Sequence, residues 1–133
     1  MSMSEIHGFF DFSNKFSPNE RKSILKRMHQ ASILKEDSSL VTRTCENIIL
    51  GISCGKKKTD FQSNLPVTLV WDGIFYSISI LQQLLFKSRI QVSSADIESI
   101  LIHAYLEYGI SFIDYLKGKF VIALYDSRIE KVF

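Results

Sequence analysis

Hydrophobic and polar positions fall in blocks that predict strands near both ends of the chain and helices between them. Residues 4–12 read as a short, aromatic-rich strand that ends in the turn signal Asp11-Phe12-Ser13-Asn14. Ser17-Pro18-Asn19-Glu20 then opens a helix, with Ser17 as N-cap, Pro18 at the first position and Glu20 completing a capping box. Ile24, Leu25, Met28 and Ala31 give that helix its expected apolar face. The polar stretch 35–39 reads as a loop. Strands are expected at 47–54 and 67–76, joined by a polar segment that holds Lys56-Lys57-Lys58 and Pro66. The second strand alternates as Val-Thr-Leu-Val-Trp and then meets Asp72-Gly73, a turn or bulge signal because glycine tolerates positive φ.

Farther along, Ile78, Leu81, Leu84 and Leu85 recur at helical spacing over 78–86. Ser94-Ala95-Asp96-Ile97 reads as a second capping box that starts another helix, with Asp96 or Ser94 as cap and Glu98 favouring its first turn. Gly109 ends that helix, and a brief helical turn over 110–116 runs to Gly118. Phe-Val-Ile-Ala-Leu-Tyr-Asp over 120–126 is a continuous apolar strand, which predicts burial on both faces. Ser127 to Lys131 turns it, and Val132-Phe133 begins a return strand too short to complete its ladder, so the sheet is expected to be C-terminally incomplete. Strands, helices and strands in that order predict an α+β fold with a largely antiparallel sheet.

Composition changes this picture little. A chain of 133 residues is one domain by prior and long enough to bury a core unaided. A net charge of +2 argues for neither a nucleic-acid nor an anionic-membrane partner, and the lysine run reads as a solvated turn. Cys45 and Cys54 lack the companions of a zinc site and make a poor disulfide framework. No signal peptide and no run of about 18 apolar residues is present, so a cytoplasmic location is expected.

Candidate chemistry starts at Ser4. A hydroxyl residue at the head of an N-terminal strand can attack with its side chain while its own α-amine acts as base, provided it is the first residue. Removal of Met1 alone would expose Ser2, displaced from Ser4 by about 6.6 Å along a strand. A start at Met3 would expose Ser4. His7 is a base candidate in isolation, His103 reads as a packed or surface histidine, and Trp71, Phe75 and Tyr76 read as core.

Together these segments resemble the N-terminal glutaminase domain of asparagine synthetases, the class II glutamine amidotransferases of the N-terminal-nucleophile fold. Met3-Ser4-Glu5-Ile6-His7-Gly8-Phe9 falls in register with the family's opening Met-Cys-Gly-Ile-Ala-Gly-Phe. Asp72-Gly73-Ile74-Phe75-Tyr76-Ser77 is similar to its Asn-Gly-Glu-Ile-Tyr-Asn, and Ser94-Ala95-Asp96-Ile97-Glu98-Ser99-Ile100-Leu101 to its Gly-Ser-Asp-x-Glu-x-Ile-Leu. The most specific likeness is Leu116-Lys117-Gly118-Lys119-Phe120-Val121-Ile122-Ala123-Leu124-Tyr125-Asp126 to Leu-x-Gly-x-Phe-Ala-Phe-Ala-Leu-Trp-Asp. The resemblance covers residues 1–133, strongly from 70 onward and weakly over 29–66. It implies a four-layer αββα sandwich with antiparallel sheets, and a domain that extends past residue 133.

The resemblance also implies which residues matter. Ser4 stands at the position of the family's cysteine nucleophile, and Asp72 and Gly73 at its oxyanion-hole positions. A carboxylate at 72 would repel a developing oxyanion. Ile74 replaces the glutamate that follows, and no cation lies near residues 52–55, where the family grips the substrate carboxylate. The family's Arg-Gly-Pro-Asp turn is absent from 30–37. Asp96 alone survives by type, at the position that holds the substrate's amino group, although an aspartate opening a helix is more often an N-cap than a ligand. The expectation is therefore a degenerate glutaminase-like domain, scaffold or docking surface of an ATP-dependent amide-forming enzyme such as a β-lactam synthetase or a lasso peptide macrolactam cyclase. ATP and Mg²⁺ would belong to its synthetase domain, attached or as a separate chain, and a homo-oligomer is also compatible. The alternatives are a serine-type N-terminal amidohydrolase using Ser4 and an amino-acid sensor holding its ligand through Asp96.

Overall fold

Ser17 starts the first helix as its sequence requires. Its hydroxyl accepts the Glu20 N–H at 3.2 Å while the Glu20 carboxylate accepts the Ser17 N–H at 2.6 Å, so two otherwise orphaned donors are satisfied reciprocally. The computed structural model describes residues 5–11, 13–31, 39–45, 48–54, 61–62, 65–90 and 96–133, with Ser39, Cys45, Ser53, Cys54, Phe61 and Gln62 described by backbone alone. The strands are β1 (Glu5–Phe10), β2 (Ser39–Cys45), β3 (Ile48–Cys54), β4 (Phe61–Gln62), β5 (Val67–Phe75), β6 (Gly118–Asp126) and β7 (Lys131–Val132). The helices are α1 (Pro18–Gln30), α2 (Ile78–Lys87) and α3 (Ile97–Tyr108), followed by a 3-10 helix over Gly109–Tyr115. One sheet has the order β1-β3-β2-β4 and the other β5-β6-β7. The β1–β3, β2–β3 and β6–β7 pairs are antiparallel, and β4 joins β2 in parallel. This is the α+β class expected, with two small sheets and three α-helices.

The chain forms two compact units, Met1–Asp72 with Ile122–Phe133 and Gly73–Val121. In the first unit, register sorts the side chains of the first sheet. Ile6, Gly8 and Phe10 of β1 lie opposite Ile52, Leu50 and Ile48 of β3, so these residues share one face. Ile48 and Leu50 pack with Val70 of β5 and Tyr125 of β6, joined by Ile6, Phe10 and Ala123, and this cluster is the core between the sheets. The opposite face carries α1. A Cβ on Gly51 would lie 2.8 Å from Leu25 Cδ2 and 2.9 Å from Leu40 Cδ1, so the missing side chain lets the helix sit down on the sheet.

The face that α1 buries differs from the sequence expectation. Leu25 is buried and Ile24 half-buried, but Met28 and Ala31 are exposed, and Arg21 is buried in their stead. Asp11 explains this. Its carboxylate accepts the Lys15 N–H at 2.9 Å, the Phe16 N–H at 2.8 Å and Arg21 Nε at 3.2 Å, while the Arg21 guanidinium also donates to Asn14. Burial alone would raise the Asp11 pKa. The two backbone N–H groups and the guanidinium outweigh it and hold the carboxyl below its usual range.

At the other end of the unit, the β6–β7 turn is tied down by two devices. Asp126, 1% exposed, accepts Arg128 Nε at 3.0 Å and Nη2 at 2.6 Å, and Ser127 donates both its N–H and its hydroxyl to the Pro66 carbonyl at 2.9 Å. Thr68 on β5 is also buried, yet its hydroxyl has no hydrogen-bond partner among the described residues. Thr68→Val exchanges that unpaired hydroxyl for a methyl group, so it is expected to be neutral or to stabilise by about 1 kcal/mol. A urea midpoint clearly below the wild-type value would show that the hydroxyl is satisfied.

In the second unit, Leu81 and Leu85 of α2 and Ile100, Leu101, Ala104 and Tyr105 of α3 are buried. Tyr105 meets Phe112 edge-on at 6.0 Å, which fastens the 3-10 helix to α3. Gly109, at φ 66°, ends α3 as expected. β5 runs through Asp72-Gly73 to Phe75, with Gly73 at the positive φ of 125° that the pair allows. Two expectations are corrected in this part of the chain. The strand over 120–126 is not buried on both faces, since only Leu124, Tyr125 and Asp126 are buried and Val121 is 53% exposed. Tyr76, expected in the core, is 67% exposed, whereas Phe75 stacks on Phe120 at 4.9 Å.

Candidate functional site

Two of the four residues singled out by sequence are neighbours on β5. Asp72 is half-buried and Gly73 exposed. Gly73 has φ 125°, and a Cβ there would overlap the Lys119 carbonyl oxygen and lie 2.6 Å from Phe120 Cα. The close approach of β6 therefore demands glycine, which leaves the residue-73 backbone bare of any side chain. Ser4 lies outside the described residues.

Asp96 is the N-cap of α3. Its Oδ1 accepts the Ser99 N–H at 3.2 Å, and the side chain is exposed. The cap is one-sided, because Ser99 occupies the place where a capping box needs a Glu or Gln. Ser94 and Ala95, the other residues of that predicted helix start, lie outside the described residues, as do residues 55–60 with the lysine run.

The segment expected to lack a cation, 52–55, has described neighbours on both sides. Ile52 lies opposite Ile6 and Val41, and Ser53 opposite Glu5 and Leu40. None of these four is basic. One same-face step away, Arg43 of β2 lies opposite Leu50, on the face of the sheet that carries the inter-sheet core, and its Nη1 donates to the Thr42 carbonyl at 3.1 Å. Sequence reading missed Arg43 because its face is set by pairing with a strand several residues away.

His7 sits on the opposite face. It lies across from Gly51, its Nε2 is 3.7 Å from Glu5 Oε2, and its ring meets His29 of α1 edge-on at 6.0 Å. Burial lowers its pKa; Glu5 opposes that and His29 adds to it. The folded state thus prefers neutral His7, so its contribution to stability is fully present above the ordinary value of 6.5 and is lost as pH falls through the lowered value. Urea midpoints measured from pH 7.5 to 5 are expected to decline in the wild type and to flatten in His7→Gln. Parallel curves for the two proteins would contradict this. The Asp11 contribution falls in a separate window, below the ordinary carboxylate value of 3.8.

No group of three or more His, Cys, Asp or Glu side chains among the described residues is placed to hold a metal ion, and no described helix is long and apolar enough to cross a membrane.

The sequence profile of the glutamine amidotransferase domain family matches residues 3–133. The chain belongs to that family. A search among curated proteins returns no match. Within this amidotransferase domain, Asp72 and Gly73 are fixed by β5 and by the close approach of β6, and Asp96 is committed to capping α3.

Proposed function

We propose that this glutamine amidotransferase domain has lost glutamine hydrolysis and serves as the scaffold or docking domain of an asparagine synthetase-like, ATP-dependent amide-forming enzyme, a lasso peptide macrolactam cyclase being one such enzyme. The proposal includes the four-layer αββα arrangement of that family. The observation that carries it is the Asp72 carboxylate joined directly to Gly73. A tetrahedral intermediate needs donors where its oxygen becomes negative. Loss of one such donor costs roughly 10²–10³ in rate, and a carboxylate in its place adds repulsion.

Two further features support the reading. The Asp96 side chain is engaged by its own helix. Ile74, Tyr76 and Val121, exposed at 62%, 67% and 53%, put apolar surface at the end of β5 and the start of β6, where a docked domain would find it. ATP and Mg²⁺ would act in the synthetase partner, and no residue of this chain is assigned to them.

A diazoketone analogue of glutamine tests the proposal, because it alkylates a working amidotransferase nucleophile. With Ser4 exposed as the first residue, the intact mass is expected to stay unchanged after incubation. A single adduct mapped to Ser4 would contradict the proposal.

A further inference from the structure

We propose that the cleft between α1 and β2 is a binding site for a phosphate-bearing small molecule. The cleft has a volume of about 350 Å³ and is lined by Lys22, Lys26, His29, Gln30, Leu40 and Thr42. It lies on the outer face of the first sheet and is independent of Asp72, Gly73 and Asp96.

Its construction follows from the fold. Lys22 and Lys26 are one helical turn apart on α1, and His29 continues the same flank. Gly51, lacking a side chain, lets Leu25 sit close to the sheet. The α1 flank is thereby brought beside Leu40 and Thr42, which belong to the outer face of β2 because they lie opposite Ser53 and Gly51. The His29 ring also meets the His7 ring edge-on at 6.0 Å. Thr42 is buried on β2, the strand that neighbours this flank.

The chemistry of the lining selects the ligand. Each of its five polar residues can donate a hydrogen bond, two of them carry a permanent positive charge, and no carboxylate is among the lining residues. Such a donor set suits a group with several anionic oxygens, for which lysines act as point charges and Gln, Thr and His supply direction. A volume of about 350 Å³ also leaves room beyond a single phosphate group, which favours a phosphate ester over the free ion.

The test is calorimetric titration of the chain with inorganic phosphate, pyrophosphate and ribose 5-phosphate, each against chloride at matched ionic strength. Saturable one-site binding is expected, tighter for the ester than for inorganic phosphate; preference for inorganic phosphate would name the free ion as the source and overturn the ester. Lys22→Ala and Lys26→Ala are each expected to weaken binding roughly tenfold, the loss of one charge-assisted contact. Binding that does not saturate, or that persists unchanged in the double variant, would overturn the site. A readout without variants is protection from amine acylation in the native chain. Phosphate ester should shield Lys22 and Lys26 but not Lys87 or Lys117, and equal labelling of all four would overturn it as well.

Discussion

Gly73→Ala is expected to cost about 2–6 kcal/mol, combining about 1–3 for an alanine held at φ 125° with about 1–3 for the overlap its Cβ creates. The obstruction is the Lys119 carbonyl and Phe120 Cα, both backbone, so no side chain can swing aside. A domain of this size is stable by about 5–15 kcal/mol, and the loss is therefore a large share of the total. Gly118→Ala is expected to behave alike, because a Cβ there would overlap the Ile74 carbonyl oxygen and lie 3.1 Å from Phe75 Cα, at φ 154°. Urea unfolding followed by circular dichroism gives the answer directly. A wild-type midpoint for Gly73→Ala would mean that β6 can withdraw from β5 at little cost.

The second large effect is on activity. Ser4→Cys is expected to leave ammonia release from glutamine at background, even when intact mass shows residue 4 to be the first. A cysteine supplies a better nucleophile, since a thiol of pKa about 8.5 offers thiolate near neutrality. The Asp72 carboxylate remains beside Gly73, however, and the residues paired with Ile52 and Ser53, where the proposal puts the grip on the substrate's carboxylate, are not basic. Rescue by the single change would show the pocket to be intact and the reading of Asp72 to be wrong. Activity that appears only when Asp72→Asn is added to Ser4→Cys would assign the defect to the carboxylate.

Legibility in the sequence followed the range of the physics involved. α1 was readable because its start is a local device, Ser17, Pro18 and Glu20 acting within one turn. The same holds for the Asp96 cap and for Gly109 at the end of α3. β2 was missed because its buried positions include Thr42, and its core-facing ones include Arg43, so neither alternation nor apolarity marks it as a strand. The burial of Arg21 was equally hidden, since it depends on Asp11, ten residues away and itself saturated by two backbone N–H groups. At the candidate site, the sequence offers Asp72 and Gly73 as a pair of adjacent positions. That Gly73 is compelled by β6 was not legible, because the clash arises between strands separated by more than 40 residues.

Ammonia release from glutamine is the measurement that bears most directly on the central claim. It should be made on protein whose mass shows Ser4 to be the first residue, with Ser4→Ala as the reference. A rate indistinguishable from that reference is the result expected under the proposed function, which puts Asp72 at the oxyanion-hole position. Turnover above the Ser4→Ala reference would contradict it and make this chain a working serine-type amidohydrolase.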